Sequence, residues 1–135
     1  MMEIKKITWE DTIPIRHQVL WPDKNPEFCI VEGDARALHY GIFLDAELVC
    51  VASIYISENS ARLRKFATLK EHQNKGVGSY MLNYLLSHLK ESRIDHLWFD
   101  ARESVLDFYR RFGLISTGDR FYKSGVPYFK MSQEI

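Results

Sequence analysis

Leu69-Lys70-Glu71-His72-Gln73-Asn74-Lys75-Gly76-Val77-Gly78-Ser79-Tyr80-Met81 is the stretch on which the fold turns. Before it lies a strand-like run, Arg62 to Leu69. After it, Val77, Met81, Tyr84, Leu85 and Leu89 recur at helical spacing, so Val77 to Lys90 predicts an amphipathic helix made to lie on a sheet. A glycine-rich turn from strand into helix aims several backbone N–H groups at one point, where the helix dipole favours negative charge. Gly76 and Gly78 carry no side chain to hold a phosphate off the backbone. Lys70, Lys75 and Arg64 add positive charge nearby. The physical reading is a pyrophosphate cradle; the bland one is a tight turn.

Two familiar phosphate loops fit poorly. A P-loop needs Gly, four residues, then Gly-Lys-Ser/Thr, and here the lysine precedes the glycine. A dinucleotide fingerprint needs a third glycine at the position of Met81, and an opening βαβ unit that this chain lacks.

Outward from the turn, the chain reads as strands with two helices in the middle. Glu3 to Thr8 alternates as a short strand. Asp11 to Leu20 predicts a helix capped by Asp11, with Pro14 in its first turn and Ile15, Val19 and Leu20 on one face; Trp21-Pro22 ends it. Ala37 to Leu44 and Leu48 to Ile56 predict a hairpin across Asp45-Ala46-Glu47, the second strand apolar enough to be covered on both faces. Arg62 to Leu69 is a strand whose alternation slips, as a bulge would make it. His96 to Ala101 is a strand. Ser104 to Phe112 predicts a helix with a Ser104–Asp107 capping box, stopped by Gly113. Leu114 to Tyr122 and Tyr128 to Met131 close the chain. Loops fall at Trp21 to Glu32 and Lys123 to Pro127. This order predicts a mixed α/β sheet with helices on its faces.

The 135 residues suit one domain, read over residues 1–135, with no repeat, linker or low-complexity tract. Lys plus Arg and Asp plus Glu both total 18, and a net charge of zero argues against a dedicated nucleic-acid binder. No run of eighteen apolar residues predicts a membrane-spanning helix, and the start lacks the apolar region of a secretory leader. Cys29 and Cys50 form no disulfide framework, which places the chain in a reducing cytoplasm. The five histidines and two cysteines show no metal-ligand spacing, so no metal is expected.

Gln73-x-x-Gly76-x-Gly78 between strand and helix resembles the Gln/Arg-x-x-Gly-x-Gly/Ala motif of the GNAT family of N-acetyltransferases. Further on, Phe108-Tyr109-Arg110-Arg111-Phe112-Gly113-Leu114 is similar to that family's Phe-Tyr-x-x-x-Gly-Phe. Order, spacing and element type agree over roughly residues 37–122. The resemblance implies an α+β fold, a single GNAT-like domain with a central mixed, mostly antiparallel sheet and helices on both faces. It implies acetyl-coenzyme A as cosubstrate, its pyrophosphate held by Gln73, Asn74, Lys75, Gly76, Val77, Gly78 and Ser79. The pantetheine arm would pair like an extra strand with Phe66, Ala67 and Thr68, where the two central strands splay. Tyr109 would lie by the sulfur. Where the family often has Asn-x-x-Ala, this chain has Arg102 and Val105, so Arg102 takes the place of a coenzyme-side asparagine. The ending Gly125-Val126-Pro127-Tyr128 resembles a Gly-Ile-Pro-His ending of some members, with Tyr128 in place of the histidine.

Acetyl transfer to an amine needs no covalent protein nucleophile, because the thioester is already activated. Tyr109 would protonate the departing thiolate, and a backbone N–H of the 66–68 strand would face the developing oxyanion. Asp100, at its strand end, is the first candidate base; His39, Glu58 and a water chain are others. The acceptor pocket would lie between the 21–32 segment and the 123–128 loop, with Trp9, Trp21 and Phe28 as packing or pocket wall. The acceptor would be a small molecule or a peptide amine, with no membrane or nucleic-acid partner, and family members often form homodimers. The reading from a different class is a non-catalytic acyl-coenzyme A sensor on the same scaffold.

Overall fold

β1 (Met2–Ile7), β2 (Leu38–Leu44), β3 (Glu47–Ser57), β4 (Ser60–Thr68), β5 (His96–Arg102), β6 (Ile115–Lys123) and β7 (Val126–Glu134) form one seven-stranded sheet in the order β1-β2-β3-β4-β5-β7-β6. The helices are α1 (Trp9–Ile15), α2 (Val77–Glu91) and α3 (Leu106–Arg110). These come from a computed structural model that describes all 135 residues. β4 pairs parallel with β5, whereas β1–β2, β2–β3, β5–β7 and β6–β7 are antiparallel: a mixed, mostly antiparallel α/β sheet, as expected. The parallel ladder is short and joins Ser60, Ala61 and Arg62 to His96, Leu97 and Trp98. No helix is long and apolar enough to cross a membrane.

The chain divides into two compact units, one of Met1–Tyr55 and Leu63–Leu85, the other of Ile56–Arg62 and Leu86–Ile135. In the first, the β2–β3 hairpin turns on Asp45 and Ala46, both left-handed at φ 50° and 72°, the sign a two-residue primed turn requires. Val49, Cys50, Val51, Ala52 and Ser53 are all fully buried, so β3 is covered on both faces as its apolar run predicts. Within the continuous strand β4, Lys65 is left-handed at φ 55°, and Ala61, Leu63 and Ala67 are its buried positions. The stripe of α2 is buried at Val77, Met81, Leu82 and Leu85, while Tyr84 stays exposed at its edge.

The first helix departs from the reading. Thr8, not Asp11, is its cap: the Thr8 hydroxyl accepts from the Asp11 N–H at 3.2 Å and the Asp11 carboxylate accepts from the Thr8 N–H at 3.1 Å. Asp11 is thus the third residue of a capping box, and Pro14 falls in the second turn. The helix does not run on to Leu20 as an α-helix. It widens into a π turn over Arg16–Leu20, a form that inserts one residue and rotates the face behind it. Arg16, at the start of this turn, is fully buried, and Val19 and Leu20 beyond it only half so.

In the second unit, the odd positions Leu97, Phe99 and Ala101 of β5 are buried with Met131 of β7. α3 lies on this side, through Tyr109 against Phe99 (ring centroids 4.5 Å) and Gln133 donating to the Phe112 carbonyl. The Ser104–Asp107 capping box does not form: Glu103–Val105 is a 3-10 turn and Val105, without a side-chain cap bond, precedes the five-residue helix. Gly113 does stop it, at φ 92°. Gly113 N–H donates to the Arg110 carbonyl and Leu114 N–H to that of Tyr109, the paired bonds of a Schellman ending.

Candidate functional site

The glycine turn is built by its own side chains. Gln73 Nε2 donates to the Thr68 carbonyl at 2.9 Å, tying the loop back onto the end of β4. Leu69 N–H donates to the Val49 carbonyl, and the 3-10 turn closes by His72 N–H to Leu69 and Gln73 N–H to Lys70. Asn74 (φ 60°) and Gly76 (φ 84°) are both left-handed, so the chain reverses twice before α2 starts. Tyr80 N–H is bonded to the Gly76 carbonyl, which leaves the N–H groups of Val77, Gly78 and Ser79 ahead of the first helical bond. A Cβ built on Gly76 meets no atom within 4 Å, so its backbone faces open space. Lys70, Asn74, Lys75 and Gly76 are exposed around it. Forward-pointing amides, a bare approach and flanking lysines are the donor set a pyrophosphate requires, and these residues fit the coenzyme the resemblance implies.

The first unit thus brings Phe66, Ala67, Thr68 and the 73–79 turn together on one strand end and one helix start. Phe66 and Thr68 are half-buried and Ala67 is buried; the Thr68 hydroxyl contacts Cys50 Sγ at 3.4 Å. Cys50 and Cys29 are free and buried, and desolvation raises both thiols, Cys50 to about 12, so neither is a nucleophile at neutral pH. His39 is buried, with Nε2 2.8 Å from the Asp34 carbonyl and Nδ1 2.7 Å from Ser53 Oγ. Both ring nitrogens are engaged inside the unit, which leaves none for an acceptor amine. Trp21 packs edge-on against the exposed Phe28 at 5.2 Å.

In the second unit Tyr109 is 8% exposed, its ring fixed between Phe99 and Phe108. Asp100 is engaged: Oδ2 accepts from Arg62 at 3.0 Å and from Lys123 at 2.9 Å. Arg102 Nε donates to the Tyr128 hydroxyl at 3.3 Å, the pairing that the Arg102–Tyr128 register sets up. Asp100, Arg102 and Tyr128 therefore share one face at one end of the β5–β7 ladder.

Sequence reading missed a buried polar network in the first unit. Arg16 donates to the Cys29 carbonyl and, in a fork, to both oxygens of Asp34 at 2.9 and 3.1 Å; it also reaches Ser53 Oγ and the Tyr55 hydroxyl. Tyr55 and the Val31 N–H complete the shell of Asp34. Burial alone would raise the Asp34 carboxyl, but hydrogen bonds from Arg16, then Tyr55 and Val31, and the Arg16 charge bring it below its ordinary value. Tyr55 is pushed up to about 12 by burial and by its bond to Asp34, so it remains a donor. The available signal was Arg16 falling on the apolar side of α1, four residues after the buried Thr12.

Comparison with known proteins adds a family match, a relative and two similar solved structures. The family model described as "Acetyltransferase (GNAT) domain" matches residues 29–135. The chain is 33% identical to a protein of Bacillus subtilis described as the uncharacterized N-acetyltransferase YitI, over 93% of this chain and 91% of that one. Among solved structures, a putative N-acetyltransferase from Lactobacillus plantarum superposes with a TM-score of 0.87 at 14% identity, covering 98% of this chain and 97% of that one. A GNAT family acetyltransferase from Elizabethkingia anophelis, solved with acetyl-CoA bound, gives 0.77 at 15% identity over 99% and 98%. At these identities the two structures bear on fold alone.

Proposed function

The chain belongs to the GNAT acetyltransferase family, acetyl-coenzyme A-dependent N-acetyltransferases, and on that premise we propose that it moves acetyl to a primary amine of a small molecule or peptide by direct attack on the thioester. One domain over residues 1–135, working in the cytoplasm and without a metal, would carry this activity. The observation that carries the reading is the 73–79 turn: left-handed Gly76 open to solvent, three forward N–H groups, and Gln73 holding the loop on Thr68.

When bound, the coenzyme would supply an activated acetyl thioester, whose carbonyl carbon takes the amine and whose thiolate is the leaving group. The chain's residues supply position and proton traffic. Gln73, Asn74, Lys75, Gly76, Val77, Gly78 and Ser79 hold the pyrophosphate, and Phe66, Ala67 and Thr68 offer the backbone edge along which the arm is laid, one N–H facing the developing oxyanion. Such a donor contributes roughly 3 kcal/mol in other acyl-transfer enzymes. Tyr109, oriented by Phe99 and Phe108, gives its phenolic proton to the leaving sulfur. Arg102, anchored to Tyr128, lines the coenzyme side of the strand end. The amine's proton passes to the Asp100 carboxylate or through water to bulk.

Calorimetry with acetyl-coenzyme A tests the premise. Wild type should bind at micromolar Kd, and Gly76→Glu, which puts bulk and negative charge into the turn, should lose this by ~100-fold or more. With binding intact, Tyr109→Phe should lower kcat by ~10²-fold while leaving Kd unchanged, the size of a lost general acid. Wild type that folds but does not bind would reduce the glycines to a turn; binding with no turnover on any amine would favour an acyl-coenzyme A sensor.

A further inference from the structure

The even positions of β5 and their partners form a face on which the chemistry above uses Asp100 and Arg102 but leaves Arg62, Trp98, Lys123 and Lys130 without a role. Trp98, Asp100 and Arg102 of β5 stand beside Ser132, Lys130 and Tyr128 of β7; Arg62 is paired with Trp98 from β4, and Phe121 with Tyr128 from β6. α3 lies on the opposite, odd side. At this end of the strands Asp100 stands among Arg62, Lys123, Lys130 and Arg102; Glu134 pairs with His96 at the other end of the ladder, and Glu103, beyond Arg102, pairs with Arg120. Asp100 serves both Arg62 and Lys123 through one oxygen, Oδ2. Lys130 and Arg62 both sit over the Trp98 ring, at 4.6 and 4.4 Å, and Lys123 lies 4.9 Å from the Tyr128 ring. Arg62 Nε is buried with no acceptor. Cations gathered on aromatic faces around a single shared carboxylate have unspent donors and one sign of potential.

We propose that the acceptor amine carries an anionic group, a carboxylate or a phosphate, and that Arg62, Lys123 and Lys130 hold this group on the even face of β5 and β7. The assignment rests on the acetyltransferase reading, which sets the end of β5 beside the acyl group. Two consequences follow from the charge. A polyamine is repelled from this face. An ammonium drawn in by its own anionic tail meets cations that favour loss of its proton, which is the form that attacks the thioester.

The test compares matched acceptors by coenzyme A thiol release: glycine, β-alanine and O-phosphoethanolamine beside glycinamide, β-alaninamide and ethanolamine, with spermidine as a polycation. In at least one pair the anionic member should have kcat/KM higher by about tenfold, a lost charged hydrogen bond, and Lys123→Met with Lys130→Met should shrink this to about threefold with acetyl-coenzyme A affinity unchanged. The carboxylate and phosphate arms separate the two anions. A readout without turnover follows the Trp98 indole N–H signal, assigned with Trp98→Phe, during titration with N-acetyl-β-alanine and its amide. The acid should shift it and the amide should not, and the double lysine variant should lose the shift. Equal use of every pair, preference for spermidine, or no turnover and no shift with any anionic compound overturns the proposal. Failure to bind acetyl-coenzyme A is a separate result that removes the acetyltransferase reading, and the indole titration still decides the anion site.

Discussion

Asp34 shows how much depends on a single buried group. Its carboxylate is 4% exposed and takes donors from Arg16, Tyr55 and Val31. Removing one partner of a buried pair costs more than the pair contributes, because the other charge is left without compensation; Asp34→Asn should lower stability by about 3–5 kcal/mol. The folded carboxyl lies below its ordinary value, so the unfolded chain takes up a proton first as pH falls. Its contribution is complete above the unfolded value, near ~3.9, and drains as pH drops through the lower folded one. Urea denaturation of wild type and Asp34→Asn at pH 7 and again below pH 4 checks this. The gap should narrow in acid, and a constant gap would mean the pair does not titrate in that range.

At the scale of elements, what was legible followed from period and punctuation. α2 could be read from its apolar stripe, and the Gly113 stop of α3 from its glycine, because both signals are local. The cap of α1 is ambiguous in the sequence, since Thr8 and Asp11 are each good caps and only the reciprocal bonds choose between them. The π turn was illegible: nothing in Arg16-His17-Gln18-Val19-Leu20 announces it, and the partner that holds Arg16 at its start, Asp34, lies eighteen residues away. The glycine motif of the candidate site was readable for the same reason that α2 was. Trp98 with its two cations was not, because it assembles from three strands whose register no local pattern states. The β2–β3 turn offers an element-level prediction. Ala46 is held at φ 72°, a conformation that costs an L side chain about 1 kcal/mol or more, so Ala46→Gly should stabilise the protein by about that amount and raise Tm by a few degrees. A thermal melt that moves the other way would place the gain of a floppier unfolded chain above the relief of strain.

At the scale of the whole molecule, a net charge of zero hides an uneven distribution. The end of the β5–β7 ladder is cationic while the chain as a whole is balanced, so composition alone said nothing about the acceptor. The Arg16–Asp34 fork has a consequence of another kind. Between its two residues runs the exposed segment Pro22–Phe28, with Lys24 at its middle. Trypsin should cut there first, while Arg16, buried in its fork, is shielded. The nick separates residues 1–24 from the rest covalently, yet the fork and the β1–β2 ladder both straddle it. The cleaved protein should travel through a sizing column as one species and part into two bands only in a denaturing gel.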